Sequence, residues 1–302
     1  MRIVFCGTAE FAVPSLRAVA GAHEVAAVVT QPDRPGSRGR PAPRPVGDAA
    51  AALALPVLRP ERIRAPEAVE SILELRPAVL VVAAYGQIIP ASLLDGPLHG
   101  GVNVHGSLLP RWRGAAPVAA AILAGDATTG VSIMRMDPGL DTGPVYLTRV
   151  VAIGTTETSP QLTERLAALG ADALLETLAA IADGSAEAVA QDEQLATLAP
   201  RLRREDGVVD WTGAADAVDR RVRALQPWPG VTAPLAGLEV RILEGAAVDG
   251  DAERGPGEVV RLVGEEADVA TASGTYRVAR VQPPGGRPMS AAAYLRGRRV
   301  VE

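Results

Sequence analysis

The sequence predicts an α/β chain of two domains, a larger one built on a parallel sheet and a smaller β-rich one behind it. Three observations lead there. Residues 2–30 run strand, helix, strand, an order that implies a right-handed β-α-β crossover. Residues 78–84, Ala-Val-Leu-Val-Val-Ala-Ala, form an unbroken apolar run, the pattern of a strand covered on both faces. Beyond residue 207 the chain changes to short β-branched stretches separated by Gly, Asp and Pro, a spacing compatible with a small barrel. A length of 302 residues makes two domains the natural prior, and a hydrophobic content of 48% can fill two cores. Aromatic residues are only 3%, so those cores must be mostly Ala, Val and Leu.

Taken in order, residues 2–6 read as a first strand ending at Gly7-Thr8, and residues 11–20 as a helix that tolerates Pro14 near its first turn. Residues 25–30 are a second buried strand. The glycines here do not spell GxGxxG, so there is no dinucleotide fingerprint. In residues 31–45, five prolines and two glycines forbid a long regular element, while Arg34, Arg38, Arg40 and Arg44 favour phosphate contacts. Residues 48–55 and 66–75 read as helices. After the apolar strand, Tyr85-Gly-Gln-Ile-Ile-Pro90 leaves the sheet. Residues 102–105 end a further strand, residues 117–125 form an Ala-rich helix, and residues 131–135 and 145–153 are strands flanking a glycine-rich turn. Residues 160–182 carry Leu162, Leu166, Leu169, Ala173, Leu174 and Leu178 at helical spacing and close the first domain.

The polar stretch 190–207, with Pro200 inside it, reads as a linker, which sets the domains at 1–189 and 208–302. The second domain then has an entry strand at 208–211, a helix at 214–225 bearing Arg220, Arg221 and Arg223, and a rigid turn Gln226-Pro-Trp-Pro-Gly230 with Trp228 as a packing anchor. Strands follow at 238–244, 257–263, 267–271 and 275–281, and a last helix begins near Ala291.

All 30 basic residues are arginine, against 35 acidic ones, and a formal charge of -5 argues against indiscriminate polyanion binding. The arginines nevertheless cluster: one island in residues 34–44, one at Arg201, Arg203 and Arg204, and one at Arg296, Arg298 and Arg299. An acidic protein with such islands can hold one nucleic acid in one orientation. A single cysteine, Cys6, rules out an internal disulfide and reads as a small core residue. The N-terminal apolar run is too short for a secretory signal and no run approaches a membrane span, so a cytoplasmic protein is expected, acting as a monomer. The three histidines have no partner cluster, and no metal is expected.

Residues 101–117 carry the chemistry. Asn103 and His105 lie two positions apart, so on a strand their side chains leave on the same face. An amide that cannot ionise beside an imidazole that titrates near neutrality suits a carbonyl whose oxygen becomes negative during attack. Asp141, in the second glycine-rich turn, is a candidate to orient that imidazole. Taken alone, the same residues also fit a satisfied strand-end histidine and a turn carboxylate, since 36 intervening positions prove no contact.

The run Asn103-Val-His-Gly-Ser-Leu-Leu-Pro-Arg-Trp-Arg-Gly-Ala-Ala-Pro117, followed by Gly130-Val-Ser-Ile-Met134 and Met136-Asp-Pro-Gly-Leu-Asp-Thr-Gly143, strongly resembles methionyl-tRNA formyltransferase, and the resemblance covers nearly the whole chain. It implies a Rossmann-like formyltransferase domain followed by an OB-like β-barrel domain that contacts tRNA. The implied reaction moves a formyl group from 10-formyltetrahydrofolate to the α-amine of methionyl initiator tRNA. The catalytic Asn, His and Asp of that family fall on Asn103, His105 and Asp141. The folate pteridine is implied near Tyr85 and Gly86, with backbone groups of Gln87, Ile88 and Ile89 at the ring edge. For Tyr85 the alternative is packing at a strand end. Further candidate folate contacts are Ser107, Leu108, Leu109, Pro110 and Asp137, although Ser107 reads first as a loop-shaping residue, since no nucleophile-elbow glycines flank it.

In the family it resembles, the stretch matching residues 31–45 is an insertion that reaches toward the acceptor end of the tRNA, which implies Arg34, Arg38 and Arg40 as candidates there and Arg201, Arg203 and Arg204 as candidates at the linker. Three places depart from the family pattern: Arg40-Pro41 stands where further basic residues are common, which leaves Arg38 and Arg40 the stronger candidates in that loop, Arg201 stands where lysine is usual and Gln226 where asparagine is. The planar fork of Arg201 keeps the charge but not a lysine-specific contact. A formyltransferase for a sugar-nucleotide amine, an enzyme hydrolysing formylfolate, and a non-catalytic RNA-binding protein on the same fold remain the competing readings.

Overall fold

The computed structural model describes residues 1–33, 43–250 and 254–298. The chain divides into two compact units, one of Met1–Pro117, Thr128–Ala152 and Leu162–Pro200, the other of Val118–Ala127, Ile153–Gln161 and Arg201–Glu302. In chain order the elements are β1 (Arg2–Gly7), α1 (Val13–Ala22), β2 (Glu24–Val29), α2 (Pro45–Ala52), β3 (Val57–Leu58), α3 (Pro66–Leu73), β4 (Val79–Ala83), α4 (Ala91–Asp95), β5 (Gly101–His105), β6 (Arg113–Gly114), α5 (Pro117–Ala124), β7 (Thr128–Arg135), β8 (Val145–Ala152), α6 (Ser159–Asp183) and β9 (Leu198–Ala199).

The large sheet has the order β3-β2-β1-β4-β5-β7-β8, parallel as far as β5 and antiparallel beyond it. Alternate residues of its strands feed two cores. Ile3, Phe5, Val79, Val81, Val102, Val104, Val131 and Ile133 pack on one face with Leu16, Leu174 and Leu178. Val4, Cys6, Val29, Leu80 and Val82 pack on the other with Ile63, Ile72 and Leu93. Burial on both faces is why β1 and β4 read as continuous apolar runs rather than alternating ones. Desolvation pushes the Cys6 thiol up to about 12, so it remains an inert core residue as its sequence position implied. The helix expected at 48–55 starts three residues earlier, because Pro45 fits the first turn, where its missing N–H is no loss. Residues 34–42, with Arg34, Arg38 and Arg40, lie outside the described residues.

The second unit continues with α7 (Ala215–Ala224), β10 (Val231–Leu235), β11 (Leu238–Val248), β12 (Val259–Val263), β13 (Glu266–Ala270), β14 (Thr275–Gln282), β15 (Met289–Ser290) and α8 (Ala291–Arg296). Its antiparallel ladder runs β10-β11-β14-β13-β12, with β15 added against β14. Three expectations change here. The entry strand at 208–211 is absent: Val208 makes a single bridge to Thr232, and Trp211 sits in a turn at φ 68°. Strand β10 was missed because it contains Pro234, which an edge strand tolerates. Trp228, expected to be the packing anchor, is 59% exposed; the buried anchor is Trp211, whose indole donates to the Pro234 carbonyl at 2.6 Å and tilts against Tyr276. Among the described residues no helix is long and apolar enough to cross a membrane.

Candidate active site

Strand β5 delivers the two residues that the spacing singled out. Val102 and Val104 enter the first core, so Asn103 and His105 emerge on the opposite face, where their cross-strand partners are Met134 and Ser132. Both are buried. The His105 Nε2 lies 2.9 Å from the backbone carbonyl of Trp112. A carbonyl can only accept, which assigns a proton to Nε2 and leaves Nδ1 as the ring nitrogen turned toward the carboxylate. Nδ1 faces Asp141 Oδ2 at 3.6 Å, beyond direct hydrogen-bond reach. The same Oδ2 accepts the Gly114 N–H at 2.8 Å. Asp141 itself holds φ 53°, a left-handed conformation that Asp tolerates better than most residues. Gly114 has φ 119°, and a Cβ there would stand 2.6 Å from the Ala199 carbonyl, so this position requires glycine.

The loop after β5 is pinned from within the sheet. The Ser107 hydroxyl donates to the Arg111 carbonyl at 2.6 Å, closing the loop on itself. The fully buried Ser132 donates to the Ser107 carbonyl at 2.7 Å and accepts the Leu109 N–H at 3.0 Å. Leu109 is buried and Leu108 half-buried, and the Leu109–Pro110 bond is cis. Sequence reasoning assigned Ser132 no role; the signal available was a polar residue in the middle of an apolar strand. In the facing turn, Asp137 Oδ1 accepts from the Gly139 N–H and the Thr142 hydroxyl, at 3.0 and 2.7 Å. Asp137 thereby shapes the turn that presents Asp141.

Residues 85–89 follow β4. The Tyr85 ring lies in the second core with its hydroxyl buried and unpaired, and burial raises the phenol well above its usual range. Tyr85 thus packs its side chain at the strand end, the alternative its position allowed. Its carbonyl accepts from Thr8 Oγ1 and Gln31 Nε2, at 2.9 and 2.8 Å. Gly86 holds φ 84°. Gln87 accepts the Ile63 N–H at 2.9 Å, Ile88 is 84% exposed, and Ile89 is buried. Among the described residues, the backbone N–H groups of Gln87, Ile88 and Ile89 meet no protein acceptor. Such a row of unpaired donors suits a heterocycle edge rich in nitrogen and oxygen.

Of the arginine candidates, Arg201, Arg203 and Arg204 are exposed, and among the described residues none is in an ion pair. The C-terminal island differs: Arg296 pairs with Glu265 at 3.1 Å and Arg298 covers the Tyr294 ring. Among the described residues there is no group of three or more His, Cys, Asp or Glu that could hold a metal ion.

The Rossmann-like sheet carries an amide and an imidazole on β5 and a carboxylate on the turn between β7 and β8, and comparison with known proteins makes this a formyl-transferring enzyme domain. The formyl transferase model matches residues 1–178, and the formyl transferase C-terminal domain model matches residues 201–299. A methionyl-tRNA formyltransferase from Xanthomonas campestris pv. campestris (strain 8004) is 48% identical over 301 residues, covering 99% of this chain and 98% of the relative. One from Methylococcus capsulatus is 46% identical, covering 98% and 96%. Among solved structures, an N-formyltransferase from Helicobacter canadensis in complex with folinic acid and dTDP-3-aminofucose superposes with a TM-score of 0.71 at 16% identity, covering 92% of this chain and 98% of that one. The chain belongs to the methionyl-tRNA formyltransferase family.

Proposed function

We propose that this protein transfers the formyl group of 10-formyltetrahydrofolate to the α-amine of methionyl initiator tRNA, releasing formylmethionyl-tRNA and tetrahydrofolate. The observation that carries the reading is the half-buried Asp141 facing the buried His105 at 3.6 Å, with Asn103 buried on the same face of β5, in a chain 48% identical to an enzyme of that name. The folate is a consumed cosubstrate, and the free N–H groups of Gln87, Ile88 and Ile89 fit its pteridine edge. Gly86, Ser107, Leu108, Leu109, Pro110 and Asp137 shape the surrounding wall.

In the reaction the neutral amine attacks the formyl carbon. A C–N bond forms, the carbonyl oxygen takes the negative charge, and the Asn103 amide N–H stabilises it. His105 Nδ1 accepts a proton from the amine nitrogen, and Asp141 stabilises the imidazolium that results. Collapse breaks the bond from carbon to N10, and N10 receives the proton.

Arg34, Arg38 and Arg40 position the acceptor end of the tRNA, and Arg201, Arg203 and Arg204 with the C-terminal domain hold the stem through its phosphates. That substrate puts the reaction in the cytoplasm, with the protein acting as a monomer. The test is formyl transfer by purified protein from 10-formyltetrahydrofolate to methionyl initiator tRNA, with charged elongator tRNA, free methionine and a sugar-nucleotide amine as competing acceptors. Preference for the sugar amine would reject the proposal. Replacing Arg38 and Arg40 by Ala should weaken tRNA use and make its salt dependence shallower by roughly one to two units of logarithmic slope, with folate binding retained; an unchanged slope would remove this loop from the RNA contact.

A further inference from the structure

Residues 189–199, which composition marks as the end of a domain and the start of a linker, instead lace together the two loops of the site. Val189 exchanges both backbone hydrogen bonds with Val145, at the foot of the Asp141 turn, at 2.8 and 2.9 Å. At the other end β9 pairs with β6, and Thr197 accepts the Trp112 N–H through its hydroxyl at 2.9 Å. Trp112 is the residue whose carbonyl holds His105. Between these ends lies Gln191. Its Nε2 donates to the carbonyls of Asp141 and Gly143, at 2.8 and 2.7 Å, and its Oε1 accepts from Nε and Nη2 of Arg113, at 3.0 and 2.9 Å. Arg113 is buried and donates through Nη2 and Nη1 to the two oxygens of Glu193, at 2.7 and 2.9 Å. The Arg113 guanidinium in turn holds the Glu193 carboxyl below its usual range.

Every polar atom of the Gln191 amide is thus committed, oxygen toward one loop and nitrogen toward the other. A carboxamide is the side chain that can do this, because only it offers two donors and an acceptor without charge. We infer that Gln191 is a positioning residue for the proposed formyl transfer, fixing the Asp141 turn against the His105 loop at the 3.6 Å separation the proton step uses, with Arg113 and Glu193 holding its amide in register.

The inference rests on the proposed reaction, so its test carries one readout that does not. Gln191→Met removes both halves of the bridge, and Gln191→Glu keeps the Arg113 contact while turning a carboxylate on two carbonyls. In single-turnover transfer each should lower the rate about 10- to 100-fold, the scale of a slightly misplaced catalytic group, with KM for either substrate within about threefold. Gln194→Met, on the exposed side of the same strap, should match wild type, and circular dichroism melting should show all variants folded. If Gln191 acts through Asp141, adding Gln191→Met to Asp141→Asn should slow the reaction no more than about twofold further.

The independent readout is the imidazole ¹⁵N spectrum of His105, in which Gln191→Met should move Nδ1 toward its position in Asp141→Asn. A moved Nδ1 in a protein that forms no formylmethionyl-tRNA would reject the proposed function and keep the positioning role. Full multiplicative loss in the double variant, wild-type rates in Gln191→Glu, or an unmoved Nδ1 would each overturn the role.

Discussion

Asp141 and Asp268 are both carboxylates facing a cation or an imidazole, and they are built to opposite ends. Asp268, on β13, lies directly opposite Arg277 on β14 and Arg261 on β12, so three strands put one anion between two cations on a single face. Arg277 donates to both its oxygens, at 2.7 and 3.0 Å, and Arg261 adds a third bond at 2.8 Å. With every oxygen met by a charged donor, Asp268 stays ionised, and the hydrogen bond from Arg277 is the main cause of its lowered pKa. Asp141 stands instead on a left-handed turn, with one backbone donor and an imidazole just out of bonding distance. A saturated carboxylate stabilises a fold because nothing about it needs to change. One with capacity in reserve can follow a proton through a reaction.

The largest effects should come from the unsaturated site. His105→Ala and Asn103→Ala should each lower single-turnover formyl transfer by about 10³-fold, while equilibrium tRNA binding stays within a few-fold. Rates near wild type in both would end the catalytic assignment. Asp141→Asn comes next, at about 10²-fold, because its amide oxygen can still accept from Gly114 and keep the turn while losing the charge facing Nδ1.

Asp268→Asn should leave transfer per folded molecule unchanged and reduce stability by roughly 2–3 kcal/mol, less than the full loss for a broken buried pair, because Arg261 is 64% exposed and can rehydrate. The sign with pH follows from the depressed folded pKa. The stabilisation is complete above the unfolded value, about 3.9, and disappears as pH falls through the lower folded value. Urea titrations at pH 7 and across this acidic range should show the wild-type advantage over Asp268→Asn shrinking with acid; a constant difference would mean that the triad does not titrate as a unit with folding. The smallest effect is expected from Tyr85→Phe, which deletes a buried hydroxyl without a partner. Stability should change by less than about 0.5 kcal/mol and transfer by less than about twofold, whereas a marked rise in folate KM would show that the phenol reaches the ligand.

Local pattern alone determined a good deal of this protein. The strands β1 and β4 follow from unbroken apolar runs, the long helix α6 from a period of 3.6 and the shared face of Asn103 and His105 from a period of two, all written in consecutive residues. The resemblance carried by residues 103–117 and 130–143 named the family and its three site residues. Tertiary structure alone decided whatever depends on which segments lie side by side. It showed that Tyr85 packs while Trp228 is bare, because burial depends on what covers a residue and both are aromatic residues beside turns. It paired Pro234 into an edge strand that proline content had hidden. Most of all it turned a polar stretch into the strap that spans the site. The partners of Gln191 are 48, 50 and 78 positions away, and a hydrogen bond across such a distance leaves no periodic trace in the chain, since any polar residue on a solvated linker would have looked the same.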